Sequence, residues 1–388
     1  MRFLAVLFAF LFPAGAVSAG DEEERALRAL LSRGDDEVVM APAFLDSVPP
    51  ETLSQVLDGL KDAIGPVARI DGKGRDYVVQ SDTHRMPARI AFDAEGRVST
   101  LWFGAPEPRV TDLASAEALL GTLGQDVAWL ATRDGAVISE SRASEPLAVG
   151  SAFKIGVLAT LVDEIEAGRR DWAEVVRLQE RHRSLPSGRM QGYPEGAPVT
   201  LHSAALAMIA ESDNTATDLL IDLLGHDAVA ERLGIAPGDL LTTRAFFALK
   251  ADAARRTDWR AASPADKPGI AASAAETLPA IEAVTGPHAQ GIEWYLPLER
   301  LCALGAPLAT LPLMQVNPGP VVGQPGLWQS VAYKGGSETG VLNFTAWLTD
   351  TEGRQHCTAL TVNDPGAIPE ITAAAAFGAF LRSLHGQP

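Results

Sequence analysis

Ser151 and Lys154, in Ser151-Ala152-Phe153-Lys154, stand three residues apart at the start of a strongly apolar stretch. On a helix that spacing puts both side chains on one face. A serine hydroxyl is a weak nucleophile until a neighbouring base takes its proton. A lysine serves as that base when desolvation and a second cation lower its pKa. Free N–H groups at the helix start also favour negative charge developing on Ser151. The same spacing describes a capping serine with a snorkelling lysine, so it decides nothing alone.

Two further motifs change the weighting. Ser212-Asp213-Asn214 follows Ser151 by 61 positions, and Lys334-Gly335-Gly336-Ser337 lies 122 positions beyond Ser212. A serine-aspartate-asparagine run between helices is otherwise a capped turn, and paired glycines in a strand are otherwise a bulge. The chain holds six lysines, at 61, 73, 154, 250, 267 and 334, and two of them fall inside these motifs. Such an arrangement suits acyl transfer, with Ser151 as nucleophile and Lys154 as base, and the small residues after Lys334 would let a substrate backbone lie along a strand edge.

The elements that must carry these residues are legible in the periodicity. Residues 22–33 and 50–63 have helical spacing, with Leu53, Val56, Leu57, Leu60 and Ile64 on one face of the second. Strand-like runs follow at 67–70, 77–80, 88–92 and 98–103, with Asp71-Gly72 and Glu95-Gly96 as turns. From Gly124 a hairpin is expected over 126–140, then a helix over 151–167. Two helices over 201–224, broken at 211–214, come next. Residues 240–250 read as a loop entering a helix, 250–290 as a helix amid loop, and 292–304 as helix. Strands at 330–334, 341–349 and 356–362 and a closing helix at 371–384 complete the chain. This order places both ends of the second domain in one antiparallel sheet. The expected division is a signal peptide over 1–19, a small α+β domain over 20–122 and a catalytic domain over 123–388.

With S-x-x-K, S-D-N and a K-G-G-S in order, residues 124–385 resemble the class A β-lactamases and penicillin-binding proteins. The resemblance implies an α+β fold: an antiparallel sheet with a helical subdomain, of β-lactamase/transpeptidase type. It implies Ser151 as nucleophile, Lys154 as base and Ser212 as proton relay to the leaving group. Asn214 would bind a substrate amide or position Lys154, while Asp213 holds the turn. Lys334 would anchor a substrate carboxylate beside Gly335, Gly336 and Ser337, with the N–H groups of Ser151 and Ser337 as oxyanion hole. The N-terminal unit resembles the cystatin/NTF2-like domains that precede some serine hydrolases of this type. That subgroup includes the serine hydrolase of the clavulanic-acid gene cluster and related esterases.

The chain departs from the family pattern twice. Gly335 replaces the threonine of K-T-G and removes a hydroxyl. The deacylating glutamate is also missing, since no glutamate occurs between Glu231 and Glu276. Glu338 is the nearest sequence candidate for that role, and a turn-stabilising residue is the ordinary reading of it.

Composition bounds the alternatives. The 388 residues are 47% hydrophobic and 21% charged, enough for a sizeable core, with a net charge of −17. That balance excludes nucleic acid as a partner, which needs a basic footprint, and disfavours anionic lipid. Arg2 followed by the apolar run 3–12 and the small residues up to Ala19 reads as a signal peptide cut after Ala19, giving a periplasmic or secreted protein without a membrane anchor. No cofactor is expected. The seven histidines show no metal spacing, and neither a phosphate loop nor Gly-x-Ser-x-Gly occurs. Cys302 and Cys357 are equally compatible with a bridge and with two buried thiols. The function read from this pattern is an exported serine hydrolase acting on a small-molecule or peptidoglycan-like ester, amide or β-lactam, esterase-like with slow β-lactam turnover. A β-lactamase, a D-alanyl peptidase, and a sensor that acylates without turnover are the alternatives. Oligomeric state is not legible.

Overall fold

The computed structural model describes residues 19–32, 38–104, 106–110, 112–284, 291–323 and 326–385, in two units, Met1–Arg109 and Val110–Pro388. The segment expected to be a signal peptide, 1–19, lies outside the described residues except for Ala19.

In the first unit, α1 (Ala19–Leu31), α2 (Pro42–Ser47) and α3 (Pro50–Ile64) precede an antiparallel sheet. Its strands β1 (Val67–Lys73), β2 (Asp76–Ser81), β3 (His84–Phe92) and β4 (Val98–Phe103) pair in sequence order, and β5 (Glu107–Pro108) pairs with β3. Alternate residues Met86, Ala88 and Ile90 join Leu27, Leu31, Leu57 and Ile64 in the core, as the period-two strand pattern requires. Asp71-Gly72 is not the expected turn. It lies within β1, where the Asp71 carboxylate accepts from Arg69 and from Gln80 Nε2 at 2.7 Å. Gly74-Arg75 turns the chain instead, with Gly74 at φ +66°, a left-handed conformation that glycine adopts without a Cβ clash.

The second unit opens with α4 (Leu113–Leu120), the hairpin β6 (Asp126–Arg133) and β7 (Ala136–Ser141), and the short β8 (Leu147–Ala148). A 3₁₀ turn, Gly150–Phe153, leads into α5 (Lys154–Glu166), so Ser151 sits in the tighter turn ahead of the α-helix that the sequence suggested it would open. There follow β9 (Val175–Arg177), β10 (Pro198–Thr200), α6 (Leu201–Ala210), α7 (Asn214–Leu224), α8 (His226–Leu233), α9 (Thr243–Ala251), α10 (Ala253–Ala261) and α11 (Lys267–Ala275). After these come β11 (Tyr295–Leu296), α12 (Leu298–Gly305), the strands β12 (Trp328–Glu338), β13 (Val341–Asp350) and β14 (Gln355–Asn363), and α13 (Glu370–His385).

The main sheet has the order β12-β13-β14-β6-β7, antiparallel throughout, so the first and last strands of the unit share one sheet. One face packs against α4 and α13 through Phe344, Leu348, Leu360, Phe377, Phe380 and Leu384. The opposite face meets the helical layer through Ala128, Leu130, Ala332, Trp347 and Ala359. The stretch 292–304 is not one helix: Leu296 precedes Pro297, which disfavours helical backbone at 296, and Tyr295–Leu296 pairs with β8. A Cys302–Cys357 disulfide ties α12 to β14, with the Cα atoms 5.8 Å apart.

Candidate active site

Ser151 is positioned from both sides of its turn. The Asn363 side chain on β14 brackets Ala148, accepting from its N–H and donating to its carbonyl, both at 2.9 Å. Val149 N–H donates to Trp294 O at 3.0 Å, and Gly150 follows with φ +50°. β12 then closes on this turn. A Cβ on Gly150 would lie 3.5 Å from Ser337 N, and one on Gly336 would strike Val149 O and Ser151 N. Glycine at 336 therefore permits the approach, and the amide nitrogens of Ser151 and Ser337 meet at one seam.

Lys154 is fully buried. Its ammonium donates to Ser212 O at 2.5 Å, Ser212 Oγ at 3.2 Å and Asn214 Oδ1 at 2.7 Å. Lys334 reaches the same hydroxyl from β12, at 3.0 Å, and also donates to Gly335 O at 2.6 Å. Burial pushes the Lys154 pKa well below that of an ordinary lysine, and the nearby Lys334 charge lowers it further. Burial brings Lys334 down to about 7. Ser212 holds φ +57°, a costly conformation for a non-glycine residue, and that twist presents both its carbonyl and its hydroxyl to Lys154. The surroundings hold it there. Ser187 Oγ donates to Ser212 O at 2.7 Å, and Asp213 caps α7 while accepting from the N–H groups of Arg189 and Met190. Asn214 is fixed in turn by donating to Leu185 O at 2.9 Å.

Among the described residues, the segment 215–284 after the S-D-N turn supplies no carboxylate to the cleft. The first N–H groups of α9, from Thr243 and Arg244, are held by the buried Asp218 at 2.7 and 2.8 Å. Phe246 of α9 then stacks on Trp294 at 4.4 Å, and Trp294 on Phe153 at 4.1 Å, making an aromatic wall beside the Ser151 turn. One turn further on, the buried Lys250 pairs with Glu293 at 2.9 Å and with Glu338 of β12. Gly335 has no space for a side chain, because a Cβ there would meet the Tyr333 hydroxyl and lie 2.7 Å from Asn343 O. The hydroxyl missing from the K-T-G position is thus replaced locally by a phenol.

Residues 115–273 match the profile described as "Beta-lactamase enzyme family". Among solved structures, a β-lactamase from Burkholderia vietnamiensis aligns with 72% of this chain and 98% of its own, at 14% identity and a TM-score of 0.51. A β-lactamase from Chitinophaga pinensis aligns with 70% of this chain and 97% of its own, at 17% identity and a TM-score of 0.50. The enzyme is a β-lactamase-like serine hydrolase. No curated protein matches the sequence.

In this hydrolase Ser151, Ser212, Asn214, Lys334, Gly335, Gly336 and Ser337 line one cleft of about 570 Å³, with Lys154 buried at its base. All eight residues singled out in the sequence are therefore brought together. Sequence reasoning missed Ser187, Leu185, Asp218, Tyr333 and the Lys250–Glu293–Glu338 cluster. These act through contacts 25 to 88 residues apart in the chain, or through a buried neighbour, and carry no local spacing signal. Among the described residues no group of three potential metal-ligating side chains occurs, and no helix is long and apolar enough to cross a membrane.

Proposed function

We propose that the hydrolase forms an acyl-enzyme on Ser151 and hydrolyses it, acting as an esterase that turns β-lactams over slowly. The convergence of Lys154 and Lys334 on Ser212 Oγ carries this reading. An amine whose proton affinity is lowered by burial and by a second cation accepts the Ser151 proton as the hydroxyl attacks a carbonyl. Ser212, contacted by both lysines, passes a proton to the leaving group. The N–H groups of Ser151 and Ser337 stabilise the oxyanion. Lys334, with Gly335 and Gly336 opening the strand edge, attracts an anionic substrate group, and Asn214 positions Lys154.

The aromatic wall of Phe246, Trp294 and Phe153 favours the ester over the β-lactam. It stands where α9 enters the site and offers no acceptor for a hydrolytic water. A small ester loses its leaving group and admits water freely. An opened β-lactam stays attached and obstructs it. We further assign the protein to the periplasm or the exterior on its N-terminal apolar run, and read the first unit, helices on an antiparallel sheet, as cystatin/NTF2-like.

Turnover of a chromogenic ester, measured beside stoichiometric labelling by a fluorescent penicillin, tests the function. Ester turnover with a persistent penicillin label is expected. Labelling without ester turnover would make the protein a penicillin- or peptidoglycan-binding sensor.

A further inference from the structure

Along β12, alternate residues share a face, so Lys334, Gly336 and Glu338 point to the same side. Gly336 abuts the Ser151 backbone. Lys334 and Glu338 therefore flank Ser151, each about 7 Å along the strand from Gly336. Among the described residues three carboxylates line the cleft, those of Glu211, Glu338 and Glu370. Glu211 is held by Arg189, whose Nε and Nη2 donate to its two oxygens, and Glu370 belongs to α13, which packs on the far face of the sheet. Glu338 is different. One oxygen pairs with Lys250, and among the described residues the other, Oε2, has no hydrogen-bond partner.

The cluster behind it holds two carboxylates for one ammonium. Lys250 and Glu293 are enclosed, with side chains 1% and 0% exposed, whereas Glu338 reaches the cleft at 17%. Surplus negative charge is least costly on the member nearest water. Burial also raises the Glu338 carboxyl above its ordinary value, against the pull of Lys250, which makes it the more basic when ionised.

We propose that Glu338, oriented by Lys250, activates the water that releases the acyl group from Ser151; this rests on the acyl-enzyme reading above. Glu338 takes a proton from water as the water oxygen attacks the acyl carbonyl. The tetrahedral intermediate then collapses, breaking the bond to Ser151 Oγ, which receives a proton from the Lys154–Ser212 pair. The carboxylic acid product leaves, and its proton and that on Glu338 return to solvent and to Lys154. No co-reactant other than water is needed.

Glu338→Gln keeps the shape of the side chain and removes the base. Steady-state hydrolysis of p-nitrophenyl acetate is expected to fall about 100-fold or more, the lower end for loss of a positioned base. Fluorophosphonate labelling of Ser151 should stay within about threefold, and acetyl-Ser151 should accumulate in the intact mass. Glu293→Gln removes charge from the same cluster without lining the cleft, and should keep turnover within a few-fold. Ester turnover in Glu338→Gln at the wild-type rate overturns the proposal, as does an equal fall in labelling and turnover or an equal loss in Glu293→Gln. Absence of any Ser151 adduct in the wild type would instead overturn the acyl-enzyme reading itself.

Discussion

Lys154 and Lys334 donate to the same atom, Ser212 Oγ, from 3.2 and 3.0 Å. Two ammonium groups on one hydroxyl in a buried site repel each other, and desolvation penalises both. Their titration is consequently that of a pair. Burial and the neighbouring Lys334 charge both lower the proton affinity of Lys154, which suits it to act as a base.

This coupling predicts a pH effect. Lys334→Met removes a positive charge beside Lys154, so the Lys154 ammonium becomes easier to form and its pKa rises. The acidic limb of Ser151 labelling by a neutral fluorophosphonate should move to higher pH. An unmoved limb would show that burial alone tunes Lys154. With Lys334→Ala, carboxylate-bearing esters should lose about 1.5–3 kcal/mol more than neutral esters, the usual value for a hydrogen bond to a charged group. Comparing kcat/KM for matched ester pairs measures it.

The nucleophile is open to direct assignment. Peptide mapping should place a fluorophosphonate adduct on Ser151 and on no other residue. Ser151→Ala should abolish it, and Lys154→Ala should slow it by roughly two to four orders of magnitude. A label surviving in Ser151→Ala would end the mechanism.

Penicillin should acylate Ser151 and leave slowly. Mass-spectrometric timing of the adduct is expected to show an intermediate outlasting many ester turnovers. Rapid penicillin turnover, comparable with that of the ester, would contradict the obstruction argument.

Lys250 joins α9 to β12 and to Glu293. Lys250→Met leaves the enclosed Glu293 and the mostly buried Glu338 without their cation, and breaking such a cluster from one side typically costs about 3–5 kcal/mol. Denaturant unfolding should register that loss. A change under 1 kcal/mol would mean the carboxylates find water or a proton at little cost.

The Cys302–Cys357 bridge closes a loop with a sequence separation of 55. Loop-closure entropy for such a loop is worth about 4 kcal/mol. Unfolding with and without reductant, at constant pH, should therefore differ by several degrees in Tm. No difference would show that α12 stays docked on β14 by packing alone.

The candidate site residues, and most of the elements that carry them, were readable in the sequence. Ser151, Lys154, Ser212, Asn214 and Lys334 were legible because each sits in a short motif whose spacing is local. The helices and strands around them follow from apolar periods of 3.6 and 2, also a local property. Reading was weakest where tertiary pairing overrides local preference. Asp71-Gly72 has turn chemistry, yet pairing with β2 keeps it in a strand. Residues 292–297 look helical beside α12, yet pairing with β8 and the proline at 297 extend them. Long-range packing set the rest: Ser212 takes a left-handed backbone that faces two lysines, and the Tyr333 phenol fills the space at Gly335. The same packing placed Lys250 and Glu293 behind Glu338. Those partners lie 43 and 88 residues from Lys250 in the chain. A buried charge is stabilised by whatever the fold brings within about 3 Å of it, and no sequence interval records that distance.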